Sequence, residues 1–422
     1  MFDKISQNEY TPENQIELFD EFNNRVLFSN RNFPGLIKYM GSKTKIIDYV
    51  INGISDVYLG ETVVDLFAGS GTLSGALRGR VPIISNDIQH YSEILSGSYL
   101  ANLKMNEKDL ESLLFNINQE AEQHAKELQI LIKDYNINYS NIHSLSEFKN
   151  AEELERKTIN IDFPKNINYY LFTKNYSGTY WSSDQCTWID GYRKIAQSYE
   201  GDDIFYIIMA SLMFAMSYNS QSTGHYAQYR VAENEKSMQD IMIYRTKDIS
   251  TYFNRKFLEL VNFSKKIQNN KPKEFMSRDY EKCLETIPES STIYADPPYA
   301  FVHYSRFYHA LETLVRYDYP DIKYKGRYRT DRHQSPFSIK SQAPAAFAKM
   351  FSLVKEKNSN LALSYSNTGL ISLDEITEIA NAEFGIQYNI ELRALDYKHS
   401  RMGRTGTKEK NVSEALLLAS RK

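Results

Sequence analysis

The strongest constraint on the fold is a local pattern that recurs: a short extended run that stops at a carboxylate. Thr62–Phe67 holds Asp65, Val81–Ser85 leads into Asn86 and Asp87, Lys273–Met276 leads into Arg278 and Asp279, and Ser291–Ala295 ends at Asp296. Apolar, β-branched runs without strict alternation belong to strands covered on both faces. The first run is followed by Ala68-Gly-Ser-Gly71 and the helix-compatible Thr72–Leu77. Strand, glycine turn, helix and strand in succession open a parallel α/β sheet. Asn360–Tyr365, Gln387–Leu392 and Val412–Leu418 bring the expected strands to about seven.

The pattern lapses between Asp87 and Glu274, far longer than the roughly dozen residues of an ordinary crossover. A polar helical tract from Tyr91 to Asp134 and Asn- and Tyr-rich sequence up to Tyr252 fill the interval. The expected organisation is an N-terminal extension over 1–35, a catalytic α/β domain from 36–100 and 270–422, and an inserted, mainly helical recognition domain over 101–269. The longest apolar run, Ile204–Met216, has 13 residues including Ser211, short of the roughly 20 that cross a bilayer, and is expected as a buried helix. The N-terminus lacks the apolar core of a signal peptide. Cys186 and Cys283 are the only cysteines, too few for a disulfide framework or a zinc cluster, which fits a reducing compartment. His303, His309 and His399 show no ligand spacing, so a surface or hydrogen-bonding role is expected of each and no metal site.

A hydrophobic fraction of 42% and a charged fraction of 24% exclude disordered and fibrous classes, and a net charge of −3 by itself argues against a nucleic-acid partner. The distribution argues otherwise. Arg316–His333 has 6 Lys and Arg against 3 Asp, net +3, and Arg393–Lys410 has 6 against 2 acids, net +4, leaving −10 on the rest. Basic residues interleaved with Tyr suit phosphate contacts, and a solvated face is the plain alternative. Asn175–Trp188, rich in Asn, Ser, Thr, Tyr and Gln, suits base edges or a satisfied packing segment equally.

Asp65-Leu-Phe-Ala-Gly-Ser-Gly71 lets backbone approach a ligand at the carboxyl end of the first strand, with helix N–H groups behind it. The next glycine, Gly75, departs from the dinucleotide GxGxxG spacing. Asp65 suits a ligand with an ammonium group, and Asp87 at the end of the second strand suits ribose hydroxyls. The two acids and the turn fit S-adenosylmethionine better than a nicotinamide dinucleotide. In Asp296-Pro-Pro-Tyr299 two prolines remove two donors and leave acceptors only. The Asp296 carboxylate and the Pro297 carbonyl can accept both hydrogens of an aromatic amino group, with Tyr299 stacked on its ring and Tyr304 or Phe307 as assistants. No Ser/His/Asp nucleophile set and no phosphate-binding P-loop is visible.

In order, Lys38-Tyr-Met-Gly-Ser-Lys43, DLFAGSG at 65–71, Asn86-Asp87, Arg278-Asp279-Tyr280 and DPPY at 296–299 resemble the Dam-like class of DNA N6-adenine methyltransferases. Phe172–Trp181, Ser364-Tyr-Ser-Asn367 and Tyr397-Lys-His-Ser-Arg401 are similar to further segments of that class, so the resemblance spans roughly 36 to 420. It implies a seven-stranded, mostly parallel Rossmann-like methyltransferase sheet and S-adenosylmethionine as cofactor. Tyr39, Lys43, Asp65, Phe67, Ala68, Gly69, Ser70, Gly71, Asp87, Asp279, Tyr280 and Asp296 would hold the cofactor, Asp279 on its adenine amino group. Asp296, Pro297, Pro298 and Tyr299 would form the acceptor site. Asn175, Tyr176, Lys323, Lys325, Arg327, Arg329, Lys398 and Arg401 are the expected DNA contacts. The resemblance adds double-stranded DNA and a companion restriction endonuclease as partners, and a cytoplasmic setting without a membrane. The insert is larger than in the best-known members and lacks their hairpin sequence, so their GATC specificity does not carry over. Other planar amino groups, in RNA adenine, cytosine N4 or a glutamine amide, stay open, as does a non-catalytic DNA-binding subunit. Neither recognition sequence nor oligomeric state follows from the sequence.

Overall fold

All seven expected runs are strands of one sheet: β1 (Val63–Asp65), β2 (Ile83–Asn86), β3 (Lys273–Met276), β4 (Thr292–Ala295), β5 (Asn360–Ser366), β6 (Tyr388–Tyr397) and β7 (Val412–Arg421). The computed structural model describes residues 32–220, 225–299, 304–397 and 412–422, together with Leu27. The strand order is β3-β2-β1-β4-β5-β7-β6, and the first five are parallel. Val64 lies between Ile84 and Ile293, and every residue of β1, β2, β4 and β5 is buried, as their apolar sequences require. β7 runs antiparallel to both neighbours, β5 and β6. The chain winds outward from β1 in both directions, so β1 and β4 form the switch point beside which such sheets place ligands.

Helices α1 (Ile47–Asp56) and α2 (Thr72–Leu77) cover one face, their Val50, Ile54, Leu73 and Ala76 packing with Val63, Tyr294 and Leu416. Between β2 and β3 lie α3 (His90–Leu100), α4 (Glu107–Leu131), α5 (Leu145–Arg156), α6 (Leu171–Tyr176), α7 (Ser183–Gln197), α8 (Asp203–Asn219), α9 (Glu235–Arg245) and α10 (Ile249–Lys266). The single polar tract expected from Tyr91 to Asp134 is therefore two helices. Asn106 caps the second through Asp109 N at 2.9 Å, and the buried Arg78 takes the carbonyls left at the end of the first. Arg78 donates to Ala101 O at 2.8 Å and Ile267 O at 2.6 Å and also reaches Tyr99 O, so one guanidinium satisfies two helix ends and ties the insert to the sheet.

The apolar run Ile204–Met216 is the buried helix α8, and no helix among the described residues is long and apolar enough to cross a membrane. Gly97 near the end of α3 faces Tyr206 near the start of α8, where a Cβ would sit 2.3 Å from the ring. The two helices are thus antiparallel, and the end of α8 returns to the carboxyl edge of the sheet. After β3 and α11 (Tyr280–Thr286), β4 is followed by α12 (Tyr304–Phe307) and α13 (His309–Arg316). Tyr308, Leu311 and Leu314 join the core of the inserted helices, so that core draws on two stretches of chain. Helices α14 (Ala343–Glu356) and α15 (Leu373–Phe384) cover the second face of the sheet with α11.

Candidate active site

The carboxyl ends of β1, β2 and β4 open into one cavity of about 1190 Å³, its open mouth included. Of the expected cofactor and acceptor residues all but Gly71 line it. Gly71 instead sits where a Cβ would lie 2.9 Å from Ser96 N, and both Gly69 (φ +51°) and Gly71 (φ +69°) hold left-handed backbone. Ala68 N donates to Asn86 O at 2.9 Å, Gly69 N to Asp87 Oδ2 at 2.9 Å and Gly71 N to Ala68 O at 2.8 Å. These three donors hold the turn together. What the turn offers is close approach.

Asp65 is 2% exposed, and its Oδ1 has no hydrogen-bond partner among the described residues. Burial, then Asp296 and Asp87, hold its carboxyl well above the usual range. Asp87 accepts from Gln89 N and Gly69 N, both at 2.9 Å, yet burial still pushes it up to about 6. Asp279 caps α11 through Glu281 N at 3.0 Å, and Tyr280 behind it stacks on Phe67 at 6.2 Å between centroids. Asn86, given no role above, donates from Nδ2 to Leu66 O and Arg278 O, each at 3.1 Å, and so joins the ends of β1 and β3.

The segment 38–43 closes the other wall. Tyr39 stacks on Tyr308 at 4.7 Å and on Tyr304 at 5.7 Å, its rim against Gly69, and Met40 N donates to Tyr308 Oη at 2.8 Å. Lys43, 6% exposed, places Nζ 3.1 Å from Asp296 Oδ1 and 3.2 Å from Glu414 Oε2. Burial works against its charge, but Asp296, Tyr299 and Glu414 outweigh it and hold its pKa well above the usual value. Tyr299 Oη lies 3.3 Å from Glu414 Oε1, and its carbonyl accepts from Leu370 N at 3.0 Å, which fixes the Pro-Pro turn. Glu414 is the residue sequence reasoning missed. Its signal was a lone acid at the head of the otherwise apolar run Ala415–Ala419.

Two expected DNA contacts are corrected. Tyr176 is buried, its hydroxyl donating to Arg327 O at 3.1 Å within an aromatic cluster with Phe172 and Trp181. Arg329 is 2% exposed and clamped by Asp318 at 2.6 and 2.8 Å and by Asp331 at 3.0 Å, so its charge is already answered inside the protein. Asn175 is half-buried and donates to Leu171 O at 3.0 Å. Asn175–Trp188 follows its packing alternative: Ser182 and Gln185 form a capping box, and Gln185 Nε2 reaches Tyr244 O and Lys247 O. Lys323 and Lys325 are exposed, with Lys323 2.7 Å from Asp321, and Arg327 is half-buried at φ +56°. Lys323 and Arg329 belong to a two-stranded ribbon, Ile322–Lys323 with Tyr328–Arg329. Lys398, Arg401, His303 and His399 lie outside the described residues. His309 is buried, hydrogen-bonded to Tyr226 O at 2.8 Å and pushed down to about 3 by burial, and both cysteines are buried. Among the described residues no His, Cys, Asp and Glu cluster could hold a metal.

The family described as D12 class N6 adenine-specific DNA methyltransferase matches residues 39–379. The chain is 23% identical over 372 residues to modification methylase LlaI of Lactococcus lactis subsp. lactis, covering 86% of this chain and 51% of that protein. Modification methylase StsI of Streptococcus sanguinis is 23% identical over 402 residues, 92% of this chain and 52% of its own length. The chain thus spans about half the length of these two. Type II methyltransferase M.NlaIII of Neisseria lactamica is 23% identical over 350 residues, 81% of this chain and 87% of its own.

Proposed function

Because the chain belongs to the D12 class N6 adenine-specific DNA methyltransferase family, we propose that it transfers a methyl group from S-adenosylmethionine to N6 of a flipped-out adenine in double-stranded DNA. It would serve as the modification half of a cytoplasmic restriction-modification pair, with a companion endonuclease as partner. The observation that carries the reading is a cavity in which a buried carboxylate, Asp65, with its Oδ1 unpartnered among the described residues, lies near an acceptor-rich turn, Asp296–Tyr299. A cationic ligand relieves the first, and an amino group answers the second.

S-adenosylmethionine, when bound, supplies a methyl already made electrophilic by its sulfonium. Asp65 would face the ligand's cationic end, Asp87 would accept from its ribose, and Phe67 and Tyr280 would offer flat faces to its ring. The Asp296 carboxylate and the Pro297 carbonyl take the two amino hydrogens of the target base, which favours a pyramidal nitrogen whose lone pair points at the methyl. Those contacts strengthen toward the transition state. Alignment of the reactants can contribute about 7–11 kcal/mol. Extracting the base costs a few kcal/mol, of which stacking on Tyr299 returns about 1–3 kcal/mol.

Residues 101–269 are the proposed recognition domain. With Lys38 from the segment before the sheet they form a strip of alternating cations and rings: Lys38 lies 5.7 Å from the Tyr218 ring, Arg255 5.8 and 5.0 Å from Tyr218 and Tyr252, and Lys247 5.4 and 4.4 Å from Tyr252 and Tyr244. Tyr218 stands at the end of α8, on the cavity side of the sheet, so the strip suits the phosphates flanking the target base.

The test is to incubate mixed-sequence duplex DNA with protein and S-adenosylmethionine and to map modified bases by sequencing. N6-methyladenine at a recurring site is expected, and Asp296→Ala should reduce it at least about 10²-fold, the scale for losing one group that stabilises developing charge, while retaining cofactor binding. Methylated cytosine or RNA would move the assignment to another amino group, and no transfer would overturn it.

A further inference from the structure

We infer that Glu414 is a positioning residue of the acceptor site: it shares the Lys43 ammonium with Asp296 and anchors the Tyr299 hydroxyl, so that Asp296 keeps its strength as an acceptor. The inference rests on the methyl-transfer reading above.

The placement of Glu414 follows from the topology. β5 is parallel to β4, so its end at Ser366 reaches the carboxyl edge of the sheet. β7 runs the other way beside it and brings its beginning to that same edge, with Glu414 opposite Ser366 on one side and Leu395 on the other. A reversed last strand is thus the way a residue from the end of the chain reaches the ligand edge. The next five residues, Ala415–Ala419, are all buried and apolar, and Glu414 is fully buried with them. A carboxylate in that position costs several kcal/mol in desolvation unless partners answer it. Its two oxygens go to two different members of the acceptor site, Oε2 to Lys43 at 3.2 Å and Oε1 to Tyr299 at 3.3 Å.

The charge balance gives this arrangement its consequence. Lys43 is also 3.1 Å from Asp296 Oδ1 and 5.3 Å from the Tyr299 ring centre. One ammonium between two carboxylates leaves the trio net negative. Remove the charge of Glu414, and the ammonium falls wholly on Asp296, whose pull on the amino hydrogens of the base weakens. The Tyr299 hydroxyl also exchanges a charged acceptor for a weaker, neutral one. Lys43 alone would pair with Asp296 and neutralise it; Lys43 held by Glu414 orients it without doing so.

The experiment uses the full chain as wild type, Glu414→Gln and Glu414→Asp. It measures kcat and KM for duplex DNA, cofactor affinity, thermal midpoint and the pH profile of kcat. Gln keeps the shape and removes the charge. It is expected to lower kcat about 10- to 100-fold, less than removal of a group that touches the reacting atoms, with KM, cofactor affinity and midpoint near wild type. The acid limb of kcat should move to lower pH, because an undivided Lys43 charge favours ionised Asp296. Asp keeps the charge and loses reach, so its acid limb should return toward wild type while kcat stays between the two. A Gln variant with wild-type kcat and pH profile overturns the inference, as does a loss that follows thermal midpoint and cofactor affinity alone. A wild type that methylates no adenine overturns the underlying reading and this inference with it.

Discussion

The carboxyl edge of the sheet and the helical insert both bury acids, and they treat them in opposite ways. In the insert, Asp190 accepts from Phe172 N at 2.9 Å, Thr173 N at 2.7 Å and the Tyr317 hydroxyl. Glu155 accepts from Ser183 N, Ser183 Oγ and the Tyr139 hydroxyl at 2.6–2.8 Å. At the sheet edge, Asp65 has an oxygen with no partner among the described residues, and Asp296 faces a cavity. The pKa shifts do not separate the two groups, since burial pushes Asp190 and Glu155 up to about 7 and Asp87 to about 6. Satisfaction separates Asp65 from Asp190 and Glu155. A buried acid surrounded by donors holds the fold together, and a buried acid left short of donors awaits a ligand.

The largest test of that contrast replaces one acid in each region. Asp190→Ala leaves three buried donors without an acceptor, at about 1–3 kcal/mol each, and should cost at least about 3 kcal/mol in urea unfolding. Asp65→Ala removes a buried carboxyl with an unpartnered oxygen and should leave the ligand-free protein at least as stable while abolishing cofactor binding by calorimetry. A destabilised Asp65 variant and an unaffected Asp190 variant would invert the contrast.

A smaller effect tests the sheet edge alone. Ligand-free Asp87 holds its proton up to about pH 6. Ribose hydroxyls donate to the ionised form, so ligand binding must release that proton below this pH. Cofactor Kd should therefore fall about tenfold per pH unit as pH rises toward 6 and level off above it, one unit being 1.36 kcal/mol. Asp87→Asn should bind weakly without that step. A wild-type Kd indifferent to pH between 4.5 and 6, both taken as approximate limits around the shifted value, would separate Asp87 from the ribose.

The same contrast accounts for what could be read ahead of the structure. Buried parallel strands have to be short apolar runs, and a residue just past such a run stands at the ligand edge, so Asp65, Asp87 and Asp296 were legible by position. Glu414 was not, because its arrival at that edge depends on β7 running backwards between β5 and β6, which no local pattern records. The break after α3 was hidden for a similar reason: the residue that satisfies its carbonyls, Arg78, is remote in sequence. Tyr176 and Arg329 were misread because an aromatic or basic residue in polar company has the same composition whether it meets DNA or its own chain. Only burial and partners distinguish the two.

The smallest effect asks where DNA phosphates are met. Each phosphate contact contributes about −0.9 to the slope of log affinity against log salt. Lys247→Gln with Arg255→Gln removes two cations of the strip on the cavity side of the insert and should flatten the slope by up to about 1.8, at unchanged cofactor affinity. Arg329→Gln should leave the slope alone and cost about 1.5–3 kcal/mol in stability, the range for hydrogen bonds to charged groups, because Asp318 and Asp331 already hold its guanidinium. The opposite result, a flatter slope for Arg329→Gln at full stability and none for the double variant, would put the DNA backbone on the ribbon face. The insert would then lend the site its core without touching the phosphates beside it.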